Sequence, residues 1–168
     1  MYPRPPASSR GERLLTGPRQ TYFSTSTAVT TTNYYALFTL RNDITYGGRA
    51  NQSIVNILNF GGAHDDATPV TFFLIKNGTL SATPNFSSWA ATSCTSVYKP
   101  AAGSAETVSF TSNDQVLLSI PVSQASSLLY VFEDSVTLQP GETVTVAAQT
   151  VTGTSTYTIA SLNTREDQ

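Results

Sequence analysis

The sequence lacks most of the residue types from which active sites and covalent cross-links are built. It has one cysteine, Cys94, and one histidine, His64, in 168 residues. One cysteine excludes an intramolecular disulfide, so an oxidised secreted scaffold is disfavoured. One cysteine and one histidine also cannot build a closed zinc site. No apolar stretch resembles a transmembrane helix or a signal peptide. We therefore expect a protein made in a reducing cytoplasm that holds no metal or cofactor and contacts no membrane.

Charged residues are also scarce, at 12% of the chain, about half the usual share for a soluble domain. Ser and Thr together make up more than a quarter of the residues. Thr, Val, Ile, Tyr and Phe favour pleated strands, whereas the shortage of Lys and Glu leaves helices without their best surface formers. Apolar residues nowhere keep a helical period over a long stretch. The fold class that follows is all-β.

From Thr21 onward the chain consists of short β-like runs separated by turn signals. Runs at a spacing of roughly ten residues are typical of a sandwich or barrel. We therefore predict one domain, residues 21–168, folded as a jelly-roll-like antiparallel β-sandwich. The predicted strands are Tyr34–Leu40, Ser53–Phe60, Val70–Lys76, Ser93–Tyr98, Glu106–Phe110, Asp114–Val122, Ser127–Phe132, Glu142–Ala148 and Ser155–Leu162.

Two strands and four turn signals allow the most specific predictions of burial and turn type. The alternation in Thr143–Ala148 predicts a half-buried strand with one threonine-rich face. Residues 71–75 (TFFLI) are apolar on both faces and predict a central strand covered on both sides. Asn77-Gly78 predicts a type I′ hairpin, and Pro140-Gly141 predicts a type II turn. The glycine pairs at 47–48 and 61–62 are interpreted as two further breaks between strands.

Residues 1–20 are predicted to form an extended arm outside the sandwich. They contain four prolines and two glycines and no periodic apolar pattern, so they cannot close a core of their own. The chain has a net charge of −2 and a pI of about 5.2, which argues against nucleic-acid binding by the folded domain. The arm is nevertheless basic, and we predict that it binds an acidic protein partner through Arg4, Arg10, Arg13 and Arg19.

The few residues that could carry chemistry have plainer interpretations, and we predict no catalytic residue and no enzyme activity. His64 precedes Asp65 and Asp66, and we interpret it as a solvated loop histidine because no oriented nucleophile accompanies it. The two carboxylates, like those of Glu133-Asp134, are interpreted as solvated turn groups. Cys94 is interpreted as a small buried hydrophobe. Trp89 and the pair Tyr34-Tyr35 offer stacking platforms for a ligand, although core packing accounts for most aromatics.

Several stretches resemble small virion proteins of tailed bacteriophages. The C-terminal stretches are 138–148 (LQPGETVTVAA), 153–159 (GTSTYTI) and 162–167 (LNTRED), and the middle stretch is 68–79 (TPVTFFLIKNGT). The resemblance covers about half of the chain and depends on the combination and order of these motifs. It implies an accessory structural role without catalytic residues, most simply that of a capsid cement or decoration protein.

Two alternatives stay open beside the cement role. The protein could instead belong to a tail, baseplate or fibre and contact the host surface, or it could be a carbohydrate-binding module. As a virion protein its partners would be the major capsid protein or another virion protein. Its exposed strand edges carry few protective charges, so we also expect a homo-oligomer, a trimer or a dimer.

Overall fold

The computed structural model describes residues 18–25, 27–101 and 104–167. Within these ranges the chain forms β-strands and one 3₁₀ turn, Asn113–Gln115, and no described helix is long and apolar enough to cross a membrane. The strands are, in chain order, β1 Arg19–Phe23, β2 Thr27–Thr30, β3 Tyr35–Asn42, β4 Thr45–Tyr46, β5 Arg49–Ala50, β6 Ile54–His64, β7 Val70–Lys76, β8 Thr79–Leu80, β9 Ser87–Ser88, β10 Thr95–Tyr98, β11 Val108–Ser109, β12 Val116–Val122, β13 Ser127–Leu138, β14 Thr143–Thr150 and β15 Thr154–Asp167.

Two antiparallel sheets account for most of the described chain. The first sheet has the order β1-β15-β6-β13, with β2 also paired to β15, and the second has the order β12-β7-β14-β3-β10-β9. Two small pairs, β8 with β11 and β4 with β5, lie outside them. The predicted all-β antiparallel sandwich is confirmed. All nine predicted strands exist, with shifted ends, and β7 has the predicted bounds.

The core lies between the two sheets and shows why one glycine pair is part of a strand. Phe60 of the first sheet and Phe72 of the second have ring centroids 5.7 Å apart, and both are fully buried. A Cβ on Gly62 would lie 2.9 Å from the Phe72 ring. Gly61 and Gly62 are therefore residues of β6 that let the opposite sheet approach, and their interpretation as a break between strands was wrong.

The second sheet is also covered on its other side, by a smaller apolar cluster. This cluster is centred on Ile75, Val108 and Ala147, and the rings of Tyr34 and Phe73 pack against it. The prediction that β7 is covered on both sides is confirmed. The half-buried prediction for β14 was wrong, because its threonine face is packed as well. The Thr145 side chain is fully buried there and hydrogen-bonds Thr39 (2.8 Å).

The turn predictions were correct at Pro140-Gly141 and at Gly47-Gly48 and wrong at Asn77-Gly78. Gly141 has φ +90°, and the Glu142 amide donates to the Gln139 carbonyl (3.0 Å), as the predicted type II turn requires. Asn77-Gly78 is not a hairpin, since only Asn77 has positive φ and β7 pairs with β12 and β14 instead of β8. The break predicted at Gly47-Gly48 is confirmed, and it is a two-residue hairpin in which both φ angles are positive and β4 pairs with β5.

The N-terminal end of the described chain belongs to the first sheet. Strand β1 begins at Arg19, and Arg19 pairs with Arg165 of β15. Arg19 and Gln20 therefore lie in the sheet, two residues before the boundary that we drew between arm and sandwich. Residues 1–17, with Arg4, Arg10 and Arg13, lie outside the described residues.

Candidate functional site

The outer face of the first sheet, meaning the side turned away from the second sheet, is the candidate site. Cross-strand pairing places the same-face residues in three rows. None of them is charged, and the face exposes three large apolar side chains, Leu129 (70%), Val131 (60%) and Phe23 (56%). The rows are Ser127, Ala63 and Ile159, then Leu129, Gly61, Ser161 and Phe23, then Val131, Asn59, Asn163 and Thr21.

A furrow crosses the middle of this outer face. In the central row Gly61 and Ser161 lie between Leu129 and Phe23, so two small residues separate two large apolar side chains. The resulting groove has a volume of about 420 Å³, and Ile159 also lines it. A Cβ at Gly61 would lie 2.7 Å from the Ser161 hydroxyl, so the glycine keeps the furrow open.

The polar row beside the furrow satisfies its own hydrogen bonds. The Thr21 hydroxyl donates to Asn163 Oδ1 (2.5 Å), and Asn163 Nδ2 donates to Asn59 Oδ1 (2.5 Å). These amides bond across three adjacent strands, so they add little charge or unmet polarity to the surface. Covering the outer face with a partner therefore costs little desolvation free energy at this row.

Within the described residues, ionic groups border this face at two places. Lys99 Nζ lies over the Phe23 ring, 4.2 Å from its centroid, and the other groups lie where the face ends. Arg19 of β1 is exposed and lies opposite Arg165. Arg165 Nε is 3.2 Å from Asp167 Oδ1, and Asp167 also accepts from Asn56. Arg19 is the one predicted partner-binding arginine within the described chain, and it borders the uncharged face.

His64 is a structural residue, and its interpretation as a solvated loop histidine was wrong. It ends strand β6, is 4% exposed, and has its Nε2 2.7 Å from the Ser123 carbonyl oxygen. Its Nδ1 has no hydrogen-bond partner among the described residues. The neighbouring Asp66 accepts hydrogen bonds from the amide and hydroxyl of Thr156, which hold the pKa of this carboxyl below its usual value. These contacts tie the end of β6 to its neighbours.

A buried carboxylate, Glu166, is the polar centre that sequence reasoning missed. It is fully buried, and it accepts hydrogen bonds from the Ser93 hydroxyl, the Cys94 amide (3.0 Å) and the Thr95 hydroxyl (3.2 Å). Thr95 Oγ1 is also 2.6 Å from the hydroxyl of Tyr22. The signal was present, because the inward alternation Thr158, Ala160, Leu162 of β15 continues to Glu166.

Cys94 lies in the main core as predicted, fully buried beside this carboxylate. Burial, and then the charge of Glu166, raise the pKa of its thiol to about 12. We expect a thiol-specific disulfide reagent at pH 8 to label the native protein at least roughly 100-fold more slowly than the unfolded chain, because the thiolate is the reactive form. Equal rates in buffer and in denaturant would contradict this burial.

The aromatic residues named as stacking platforms are occupied by packing. The Tyr34 ring contacts Phe73 and Phe110, with centroids 4.9 and 5.1 Å away, whereas Tyr35 is buried on the other side of the sheet. The two tyrosines therefore form no joint platform. Trp89 is half-buried, its ring centroid is 5.1 Å from that of Tyr22, and Lys99 Nζ lies over the ring at 4.7 Å. These neighbours compete with any sugar for its faces.

No group of three or more His, Cys, Asp or Glu side chains that could hold a metal ion occurs in the part of the chain that the structure describes. The side chains that sequence singled out are thus distributed through the fold, and the residues brought together at its surface are the uncharged ones of the outer face. Comparisons of this chain with protein-family models, with curated proteins and with solved structures found no match.

Proposed function

We propose that this protein is a non-enzymatic structural protein of a phage virion, a capsid cement or decoration protein that binds the shell through the outer face of its first sheet. The observation that carries the proposal is this uncharged, furrowed face, with Leu129, Val131 and Phe23 exposed on it. A contiguous apolar patch on a soluble domain marks a site of association. That the partner surface belongs to a phage virion is inferred from the resemblance of four sequence stretches to small virion proteins.

The predicted arm fits the same role. Arg19 lies at the end of the outer face, so a basic segment that precedes it in the chain starts beside this surface. Arg4, Arg10 and Arg13 would then neutralise acidic groups of the capsid neighbour while the face supplies apolar contact. The face and the arm together account for attachment without any catalytic group.

Placing a lysine in the centre of the outer face tests the proposal. Ile159→Lys introduces a charge into the furrow, and we expect the number of copies per purified virion to fall by at least roughly tenfold, because a desolvated unpaired charge costs more than the 1.4 kcal/mol that corresponds to that factor. Quantitative mass spectrometry of virions produced with each variant measures the copy number.

The matched control is Ile44→Lys, which makes the same change at a side chain that is 68% exposed in a loop outside the first sheet. Its copy number should equal that of the unaltered protein. Equal incorporation of both lysine variants would overturn the assignment of the face, and absence of the unaltered protein from virions would overturn the structural role.

The same measurement separates the capsid role from the tail alternative. A decoration protein repeats with the symmetry of the shell and reaches hundreds of copies, whereas a tail, baseplate or fibre part follows the low symmetry of the tail and stays at a few to a few dozen. The carbohydrate-binding alternative is not favoured by any surface described above, since Trp89, Tyr34 and Tyr35 are engaged in packing.

A further inference from the structure

Strand β13 leaves one edge of the first sheet open. It pairs with β6 on one side, in regular register from Ser127 to Val131, and none of the strands in the described ranges pairs with it on the other side. In this stretch Leu129 is 70%, Tyr130 40% and Val131 60% exposed. A row of unpaired backbone groups beside exposed apolar side chains is a template for another strand.

The other sheet edges carry the protection that this one lacks. Strand β12 contains Pro121 and a register shift, and β9 has only two residues. At the opposite end of the first sheet β1 and β2 have only five and four residues, and β1 begins with Arg19. Prolines, irregular register, short length and charge are the usual devices against edge pairing.

The C-terminal end of β13 is closed as well. After a register shift the carbonyl of Thr137 accepts from Lys76 Nζ (3.3 Å), and that of Leu138 accepts from Asn42 Nδ2 (3.0 Å). Both donors belong to the second sheet, so side chains take the place of a neighbouring strand there. The contrast confines the open edge to Ser127–Phe132.

The distribution of charge along β13 favours a second copy of this chain as the partner and an antiparallel orientation of the two strands. Residues 122–132 contain no charged side chain, and the first charge is that of the exposed Glu133. Two copies paired antiparallel about a two-fold axis at Tyr130, with Tyr130 opposite its own copy, would place each Glu133 opposite the neutral Ser127. The two carboxylates would lie about 20 Å apart at about 3.4 Å per residue, well beyond the screening length of about 10 Å. A parallel, in-register pair would instead set the two Glu133 side by side.

We propose that the open edge of β13 is the contact between two copies of this chain, which pair antiparallel through Ser127–Phe132 about a two-fold axis and join their first sheets into one. The chain carries a net charge of −2, so association of like copies is least opposed where both surfaces are uncharged. An isologous contact also closes on itself, which stops the open edge from propagating into a filament. The proposal goes beyond the virion role and does not depend on it.

Analytical ultracentrifugation of the full chain at micromolar concentrations tests the dimer. We expect the unaltered protein to sediment as a dimer and the double variant Leu129→Lys/Val131→Lys to raise the dissociation constant at least roughly tenfold, because four lysines would meet near the axis. The matched controls are Ile159→Lys, on the same face but off the edge, and Ile44→Lys, away from the sheet. Both should sediment as the unaltered protein does.

A disulfide measurement keeps the proposal testable if the double variant does not fold. Residues opposite each other in an antiparallel pair have Cβ atoms about 4.5–5.5 Å apart. Under mild oxidation we therefore expect Tyr130→Cys, at the residue on the two-fold axis, to form a cross-linked dimer. Val151→Cys, at a position that is 57% exposed in a turn, should not form one. The native Cys94 thiol is buried and does not compete.

Three outcomes would overturn the edge contact. A monomeric unaltered protein with no cross-link at position 130 would show that a different partner covers β13. A monomer that becomes a dimer when the chain is truncated before Pro18 would show that residues 1–17 occupy the edge. Loss of the dimer in Ile159→Lys, with the edge variants unaffected, would assign the contact to the outer face. Since virion incorporation is measured separately, neither failure determines the other.

Discussion

Phe72→Ala is expected to lower the free energy of unfolding by about 3–5 kcal/mol, the usual cost of removing a large ring from a packed core. Phe72 is fully buried between the two sheets, where it contacts Phe60 and the backbone of Gly62. Few other changes to the core should have as large an effect. Urea unfolding followed by tryptophan fluorescence measures it, with an unchanged dependence on denaturant as the sign of an unchanged fold.

A second substitution tests whether residue 62 must be a glycine because the Phe72 ring approaches it so closely. Gly62→Ala alone should cost about 1–3 kcal/mol, because its Cβ would lie 2.9 Å from the ring. In the Phe72→Ala background the collision is removed, so the same change should cost at least about 1 kcal/mol less. Additive effects would contradict the packing described for this pair.

Glu166→Ala is expected to have the second large effect, a loss of about 3–5 kcal/mol. Removing the carboxylate leaves the Ser93 hydroxyl and the Cys94 amide buried without this acceptor, at about 1–3 kcal/mol for each group. Glu166→Gln keeps one acceptor oxygen, so it should lose less than Glu166→Ala. The same urea titration measures both variants.

The matched control is Glu133→Ala, which removes an exposed carboxylate from β13. Surface substitutions of this kind change the free energy of unfolding by less than about 0.5 kcal/mol. If both alanine variants were equally stable, the network around Glu166 would contribute nothing to the fold. If Glu166→Gln were as unstable as Glu166→Ala, the number of acceptor oxygens would not be what matters.

Local patterns were most informative where a side chain's neighbours are set by its own strand. The apolar run 71–75 identified β7 with both ends in place and both faces covered. Pro140-Gly141 identified its turn, because the φ angle that such a turn demands is a property of two adjacent residues. Burial of Cys94 was also predicted correctly, since a small apolar side chain within a strand pattern usually packs in the core.

The errors arose where contacts with distant strands decided the outcome. Gly61-Gly62 resembles a break, yet Phe72 of the other sheet requires a glycine within the strand. Asn77-Gly78 resembles a hairpin, yet a Cβ on Gly78 would lie 2.5 Å from a methyl carbon of Val108, which β11 brings from thirty residues away. His64 resembles a loop residue, yet the carbonyl of Ser123 holds it inside.

The sequence by itself determined that this protein is an all-β sandwich with few charges and few groups suited to chemistry, because composition and the period of two are local properties of the chain. Only the tertiary structure decided which uncharged residues share a surface. Leu129, Gly61, Ser161 and Phe23 come from four strands, and their alignment depends on register, which is fixed by the packing of the opposite face. For the same reason only the structure could show that no described strand lies beyond β13.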